Sequence, residues 1–142
     1  MGKLVKRMEE MLRIAGADIS AVRIFKTRKF RKWAIAQKLK DSALKQAVQE
    51  IADGGIDANL GSGLIKQRVA LGNRGKSGGV RVIIAYRMKE KFFFLHGFAK
   101  NEKSNIDEDE SKALKALGAH LLSMSDAQIQ VALDEDELYE VT

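Results

Sequence analysis

The chain has 142 residues, of which 45% are hydrophobic, so its length and composition favour one domain with a single core. It contains no cysteine and only two histidines, which excludes disulfides and thiolate metal sites and argues against a site built from several histidines. The net charge of +6 combines a balance of +14 in residues 1–106 with a balance of −8 in residues 107–142.

This charge asymmetry suggests what each part of the chain contacts. The basic part favours a polyanionic partner such as nucleic acid. Lysine and arginine that only keep the surface soluble would give the same composition, so charge alone leaves both interpretations open. The acidic C-terminal part could cap the last helix, cover the basic surface of the domain, or simply be solvated.

Residues 3–15 carry apolar side chains at helical spacing, which predicts a first helix. Glu9, Glu10 and Arg13 interrupt the uncharged apolar core that a secretory signal peptide would need. No run of about 18 apolar residues occurs, so the sequence predicts no transmembrane helix. We therefore expect a cytoplasmic protein that makes no membrane contact, with residues 1–20 as an N-terminal helical extension.

One short strand and two helices follow this extension. Residues 21–26 alternate as a strand does, and Thr27 has the side chain of a helix N-cap. The second helix has Asp41 or Ser42 as its predicted N-cap and ends at Gly54. Apolar residues recur at three- and four-residue steps, at Phe30, Trp33, Ala34 and Ile35 in the first helix and at Leu44, Ala47, Val48 and Ile51 in the second.

The next part of the chain predicts a group of strands. Residues 54–63 are predicted to form a loop, because they are rich in glycine and polar turn formers. Three β-prone runs then occupy residues 64–70, 80–87 and 91–98. The connection between the last two runs is short, which predicts an antiparallel hairpin.

Acidic residues from Asp107 onward open the next helix, where they suit the positive end of the helix dipole. The predicted buried stripe of this helix consists of Leu114, Leu117, Leu121 and Leu122. Ser125 could cap a last short helix, and residues 138–141 could pair as an edge strand. The order of elements predicts an α+β fold: a small antiparallel β-sheet with two N-terminal helices and a C-terminal helix packed on it, plus an extra N-terminal helix.

Three cations lie inside the predicted strands rather than only at their ends. Lys66 and Arg68 are two residues apart, so they project from the same face of their strand. Arg81 joins them only in the right register, since a slip of one residue would turn it to the other face. Cations placed in this way suggest a sheet that meets phosphate.

A glycine-rich basic loop at residues 73–79 joins two of these strands and could present backbone N–H groups to a phosphate. It contributes the cations Arg74 and Lys76. The nucleotide-binding pattern GxxxxGK[ST] would need glycine at position 70, which is Ala70, and a helix rather than a strand after the loop. Nucleotide binding is therefore disfavoured.

The segments GLIKQRVA, GKSGGVR and HGFAKNEKSNI, together with the order of elements, resemble the RelE/HigB-like toxins of bacterial type II toxin–antitoxin systems. The resemblance covers about residues 22–122, which places a toxin domain at residues 21–124 and an acidic C-terminal tail at residues 125–142. It implies a RelE-like fold and an mRNA endonuclease that needs no metal or cofactor and inhibits translation in the A site of the 70S ribosome. It also implies a cognate antitoxin, expected to be a helix-turn-helix DNA-binding protein.

The resemblance also implies the chemistry and the residues that perform it. In this family the ribose 2′-OH attacks the adjacent phosphate and leaves a 2′,3′-cyclic phosphate and a 5′-OH. By position, Lys66 and Arg68 match the basic pair on the family's second strand, and Arg81 matches the phosphate-binding arginine after the glycine turn. Because arginine rarely loses its proton, Lys66 is the better candidate for the general base. These three residues are the predicted catalytic residues.

After the last strand the chain departs from the family pattern. Family members often have an arginine and then a tyrosine there, whereas this chain has Lys100 and Asn101 and no tyrosine. His96 is the remaining acid–base candidate, although its alternation with Phe94 and Phe98 also fits a packed sheet histidine, the commoner situation. The predicted RNA-binding residues are Arg74, Lys76, Lys100, Asn101 and Lys103.

Other functions are compatible with the same fold. A ParE-like toxin would inhibit DNA gyrase by binding and would cleave nothing, and a non-catalytic RNA-binding domain would use the same basic surface. The cations within the strands favour the nuclease. The basic run at residues 28–32 is predicted to be a solvated helix face, with contact to ribosomal RNA as the second interpretation.

Overall fold

The computed structural model describes residues 2–3, 16–72, 78–99 and 106–142. The predicted helix at residues 3–15 lies almost wholly outside the described residues. The elements in chain order are β1 (Arg23–Thr27), α1 (Arg28–Ala36), α2 (Asp41–Ala52), β2 (Ala58–Gly61), β3 (Leu64–Val69), β4 (Val80–Arg87), β5 (Lys91–Ala99), α3 (Glu108–Ser123), α4 (Asp126–Asp134) and β6 (Leu138–Val141).

The six described strands form one sheet in the order β2-β3-β4-β5-β1-β6. The pairing of β1 with β5 is parallel, and the other pairings are antiparallel. The predicted α+β fold is confirmed, and the parallel pair is the one departure from an antiparallel sheet. It arises because α1 and α2 carry the chain away from β1, so that β5 returns beside β1 in the same direction.

Helices α1 and α2 cover one face of the sheet. Phe30 of α1 lies against Phe94 of β5, with ring centroids 5.4 Å apart, and Trp33 packs beside Phe30. Gly97 of β5 is required beneath Trp33, because a Cβ atom there would overlap the indole ring. The predicted stripe of α2 is confirmed, since Leu44, Ala47, Val48 and Ile51 are all buried in this core.

Helix α3 covers part of the opposite face, where it lies over β4. A Cβ atom added to Gly118 of α3 would stand 3.1 Å from the Cβ atom of Ala85, with Leu64 and Leu95 on either side. Glycine at this position therefore allows the helix to approach the strand closely. Together with residues of α4, these side chains form a second core on this face, which also includes Ile83 of β4 and Phe98 of β5.

Two of the three predicted helix caps are confirmed. The Phe30 N–H donates to Thr27 Oγ1 at 3.1 Å, and Ser125 forms a capping box with Gln128. The predicted cap of α2 is wrong, because Lys40 occupies the N-cap position and no side chain caps the helix. The Asp41 carboxylate instead accepts a hydrogen bond from Lys26 Nζ at 2.6 Å, so an ion pair across the fold replaces the local cap.

Three further details differ from the sequence predictions. Residues 58–61, predicted to be loop, form the edge strand β2, which pairs with β3 through a register shift. Ile35 is 60% exposed and Leu117 is 39% exposed, so neither belongs to the buried stripe of its helix. Ala58, Asn59 and Gly61 are weak strand formers, which explains why the sequence of β2 resembles a loop.

The acidic C-terminal segment is part of the fold and lies away from the cations of β3 and β4. Strand β6 pairs with β1 at the edge of the sheet farthest from β2 and β3. Glu140 of β6 accepts two hydrogen bonds from the Arg23 guanidinium, at 2.9 and 3.0 Å, which raises the pKa of Arg23 further above its usual value. The possibility that the tail shields the cations of β3 and β4 is therefore wrong.

Candidate active site

The pairing of β3 with β4 places Arg68 directly opposite Arg81, and the pairing of β4 with β5 places Phe98 opposite Arg81 on its other side. Directly opposed residues project from the same face with Cβ atoms about 5 Å apart. The register therefore brings Arg81 to the face of Arg68. A slip of one residue would have placed it on the other face. Two like charges in such a position repel each other, so the arrangement favours an anion between or above them.

A second row crosses the same three strands one step further along. It consists of Lys66 on β3, Ile83 on β4 and His96 on β5. Because neighbouring strands lie about 4.8 Å apart, the backbones of Lys66 and His96 are about 9.5 Å apart across Ile83. The structure thus brings together Lys66, Arg68, Arg81 and His96 on one face.

A β-bulge in β5 decides which side chains accompany His96. Ile83 pairs with His96, whereas the next residue of β4, Ile84, pairs with Phe94, so the register shifts at Leu95. Phe98 remains on the face of His96, with ring centroids 6.1 Å apart. Phe94 belongs to the core on the other face. The prediction that His96 alternates with both Phe94 and Phe98 is therefore wrong for Phe94, because a bulge reverses the alternation.

The cations lie beside the second core, two of whose buried members, Ile83 and Phe98, stand in the same rows. Leu64 and Ala85 are buried beneath α3, but the Arg68 side chain two rows further along is 48% exposed. Lys66 and Arg81 are partly exposed. Arg81 donates one long hydrogen bond of 3.5 Å to the carbonyl oxygen of Val80. A ligand can therefore reach these cations from solvent.

The first turn of α3 borders this open surface. Asp107 caps the helix by accepting a hydrogen bond from the Glu110 N–H at 2.8 Å. Glu110 Oε2 lies 3.7 Å from His96 Nε2, and both side chains are partly buried. When the imidazole is protonated, this carboxylate forms an ion pair with it. The site therefore contains a histidine with an acidic neighbour beside a row of cations.

Asp57 is a site residue that sequence reasoning missed. Its carboxylate accepts a hydrogen bond from the Arg68 backbone N–H at 2.6 Å and another from the Arg68 guanidinium at 3.3 Å. Gln67 fixes the loop that carries it, by accepting from the Asp57 N–H at 3.1 Å and donating to the Gly55 carbonyl oxygen at 2.8 Å. The available signal was the polar Gln67 within an otherwise apolar face of β3, which required a buried partner.

The predicted RNA-binding residues Arg74, Lys76, Lys100, Asn101 and Lys103 lie outside the described residues. The described chain shows where both segments leave the sheet. Val69 pairs with Val80, and Val80 pairs with Ala99, so both segments start at the end of the sheet next to the Arg68–Arg81 row.

The basic run of α1 is partly structural. The Arg28 guanidinium donates to the carbonyl oxygens of Asp136 and Glu135, at 2.8 and 3.2 Å, at the end of α4. The Arg31 guanidinium lies 4.4 Å from the ring centroid of Tyr139. These two arginines hold the C-terminal segment against α1, so the prediction of a solvated face applies to Lys29 and Lys32, which are exposed.

The described residues contain neither a cluster of metal ligands nor a membrane-spanning helix. No group of three or more histidine, aspartate or glutamate side chains among residues 2–3, 16–72, 78–99 and 106–142 is arranged to hold a metal ion. Within the same ranges, no helix combines the length and apolar character that crossing a membrane requires.

Comparison with known proteins identifies the family. No curated protein matches the chain. The family model described as "RelE toxin of RelE / RelB toxin-antitoxin system" matches residues 22–141, which include all six strands and α1 to α4. Because this match covers well over half of the chain, the protein belongs to the RelE family of toxins from toxin–antitoxin systems.

Proposed function

We propose that this toxin is a ribosome-dependent mRNA endonuclease that inhibits translation by metal-independent attack of a ribose 2′-OH on the adjacent phosphate. The observation that carries the proposal is the open face on which Arg68 and Arg81 are directly opposed and Lys66 and His96 flank Ile83. Cleavage by this route needs a proton acceptor, a proton donor and stabilisation of a dianionic phosphorane. The four side chains offer an acceptor, a donor and two cations for the phosphorane.

Arg68 and Arg81 are assigned to the phosphate. A guanidinium matches the geometry of two phosphate oxygens and keeps its charge throughout the reaction. The repulsion between the two arginines is relieved when the phosphate binds, and the interaction strengthens as negative charge grows in the transition state. The two arginines therefore contribute to RNA affinity and, more strongly, to the rate of cleavage.

Lys66 and His96 are assigned to the two proton transfers. Lys66 takes the proton of the 2′-OH as the 2′-oxygen forms its bond to phosphorus. Protonated His96 gives its proton to the 5′-oxygen as the bond from phosphorus to that oxygen breaks. An in-line reaction places these two oxygens on opposite sides of the phosphorus, so the acid and the base must approach the phosphate from two sides. Lys66 and His96 lie on the same face of the sheet on either side of Ile83, which supports this assignment.

The partners follow from the family and from the proposed reaction. A toxin of this family has an antitoxin, which we propose to be a helix-turn-helix DNA-binding protein. The proposed substrate is mRNA in the A site of the 70S ribosome, in the cytoplasm. Arg74, Lys76, Lys100, Asn101 and Lys103 are proposed to bind RNA, since their segments leave the sheet beside the Arg68–Arg81 row.

The test is translation of a defined message with purified protein, followed by mapping of 5′ ends by primer extension. We expect cuts with the wild type and none with Lys66→Ala or Arg81→Ala. The matched controls are Lys45→Ala on the exposed side of α2 and Arg87→Ala at the far end of β4, both of which should cut normally. An intact message with failing DNA supercoiling would indicate a gyrase inhibitor. An intact message with retained RNA binding would indicate a non-catalytic RNA-binding domain.

A further inference from the structure

We infer that Asp57 is a positioning residue that fixes the orientation of the Arg68 guanidinium on the phosphate-binding face and, in doing so, weakens RNA binding. This inference rests on the proposed function for its effect on the cleavage rate. Its effect on RNA affinity needs only that RNA contacts Arg68.

The contact between Asp57 and Arg68 has two parts. One carboxylate oxygen accepts from the Arg68 backbone N–H at 2.6 Å, which fixes the carboxylate relative to β3. The other oxygen accepts from one terminal nitrogen of the guanidinium at 3.3 Å. Because the first bond is to the backbone, the carboxylate holds its place independently of where the Arg68 side chain points.

The loop that carries Asp57 is itself held by a buried group. Gln67 is 0% exposed, and both atoms of its amide are bonded to this loop, at the Asp57 N–H and the Gly55 carbonyl oxygen. Breaking such a bond would leave a buried polar group without a partner, so the loop position is well determined. Gln67 and Arg68 are neighbours in β3. The same strand therefore carries the residue that holds the Asp57 loop and the arginine that the Asp57 carboxylate binds.

Only one edge of the guanidinium is occupied by this contact. An arginine has five N–H donors, and the hydrogen bond to Asp57 uses one terminal nitrogen. The remaining donors can still meet a phosphate oxygen on the open face. The carboxylate thus limits the orientations of the guanidinium before RNA arrives, and it also places a negative charge close to the phosphate.

These two effects act on different measured quantities. Loss of the carboxylate charge adds one unit of positive charge to the site, so RNA binds more tightly. It also releases the guanidinium, so the productive orientation is less populated and cleavage slows, since small misplacements of a catalytic group are known to lower rates strongly. A residue that only supported the loop would change stability and would not change rate and affinity in opposite directions.

The test uses Asp57→Asn, which keeps an oxygen that can accept from the Arg68 N–H and removes the charge. We would measure single-turnover cleavage of a message on programmed 70S ribosomes, and fluorescence anisotropy with a labelled single-stranded RNA that carries a 2′-deoxy substitution at the cleavage position. The expected result is a rate about tenfold lower and a Kd about two- to fivefold lower than the wild type. Asp53→Asn is the matched control, because Asp53 also accepts from a backbone N–H, that of Ala17, and is not bonded to Arg68.

A second background shows whether the effect passes through Arg68. In Arg68→Ala, the additional change Asp57→Asn should leave the cleavage rate unchanged and should lower Kd by less than it does in the wild type, because only the charge beside the phosphate is then removed. The inference is wrong if Asp57→Asn cleaves like the wild type, or if it slows cleavage equally when Arg68 is absent. If the wild type binds RNA but cuts no message, the proposed function fails. Affinity then decides the inference by itself: Asp57→Asn must tighten binding more in the wild type than in the Arg68→Ala background.

Discussion

Arg68 and Arg81 lie directly opposite each other on β3 and β4, so that two guanidinium groups share one open surface of the sheet. Opposed like charges destabilise a sheet by roughly 0.2–1 kcal/mol. The carboxylate of Asp57 pairs with Arg68 and offsets part of this repulsion. The opposed arginines lower the stability of the free protein and concentrate positive charge, so this surface is suited to binding an anion.

Replacement of one opposed arginine should separate activity from stability. We expect Arg81→Ala to lower the single-turnover cleavage rate by about 10²- to 10³-fold, since it removes a donor to the developing phosphorane charge. Its Tm should stay equal to the wild type or rise slightly, because the repulsion with Arg68 is lost. Arg87→Ala, on the same strand but paired with Glu90, is the control and should keep its activity. A Tm several degrees lower in Arg81→Ala would show that the arginine is structural.

The same arginine should also appear in the salt dependence of RNA binding. For single-stranded nucleic acid, each phosphate neutralised by the protein adds about −0.7 to the slope of log K against log salt. Arg81→Ala should therefore make this slope less negative by about 0.7, and Arg87→Ala should leave it unchanged. The measurement is a titration of the 2′-deoxy-substituted RNA at several salt concentrations. An equal slope for the wild type and Arg81→Ala would mean that Arg81 does not contact phosphate.

Features that depend on local spacing could be predicted from the sequence. The two-residue spacing of Lys66 and Arg68 places them on one face in any register, and the strands β3, β4 and β5 begin and end close to their predicted bounds. The caps at Thr27 and Ser125 also depend only on neighbouring residues. In each of these cases the backbone hydrogen bonds and side chains involved lie within a few residues of each other.

Features that depend on distant partners could not be predicted from the sequence. Arg81 joins Arg68 through a register that packing on both faces of the sheet determines, and His96 reaches their face through a bulge at Leu95. The cap predicted at Asp41 or Ser42 is wrong because α2 begins at Asp41 with Lys40 as its N-cap, and the Asp41 carboxylate pairs with Lys26 of β1. Asp57 lies in the segment predicted to be loop, and nothing in its neighbours indicates that Arg68 lies beside it.

The C-terminal segment gives a prediction about stability. Leu138 of β6 is buried in the second core, so Leu138→Ala should lower the free energy of unfolding by about 2–5 kcal/mol. Glu140→Gln should lower it by less than about 1 kcal/mol, because its ion pair with Arg23 is partly solvated. Chemical denaturation gives both values. RNA affinity should not rise in Glu140→Gln. A clear increase would show that the acidic C-terminal segment shields the cations of β3 and β4.

The assignment of His96 as the leaving-group acid gives a prediction that a structural histidine would not satisfy. A 5′-thiolate leaves without protonation far more readily than a 5′-alkoxide, because a thiol is much more acidic than an alcohol. A message with sulfur in place of the 5′-oxygen at the cleavage site should therefore make the acid dispensable. His96→Gln should slow cleavage of the normal message by about 10²- to 10⁴-fold, which is the usual contribution of a general acid.

With the sulfur-substituted message, His96→Gln should cleave at a rate close to that of the wild type, whereas Lys66→Ala should remain slow because the 2′-OH still needs a base. Glu110→Gln should resemble a weaker form of His96→Gln, with partial loss on the normal message and recovery on the substituted one, since Glu110 lies 3.7 Å from the imidazole. His120→Gln, on the exposed side of α3, is the control and should behave as the wild type with both messages. If sulfur rescues Lys66→Ala and not His96→Gln, the two roles are reversed. If it rescues neither, His96 supports the packing around Phe98 and another group protonates the 5′-oxygen.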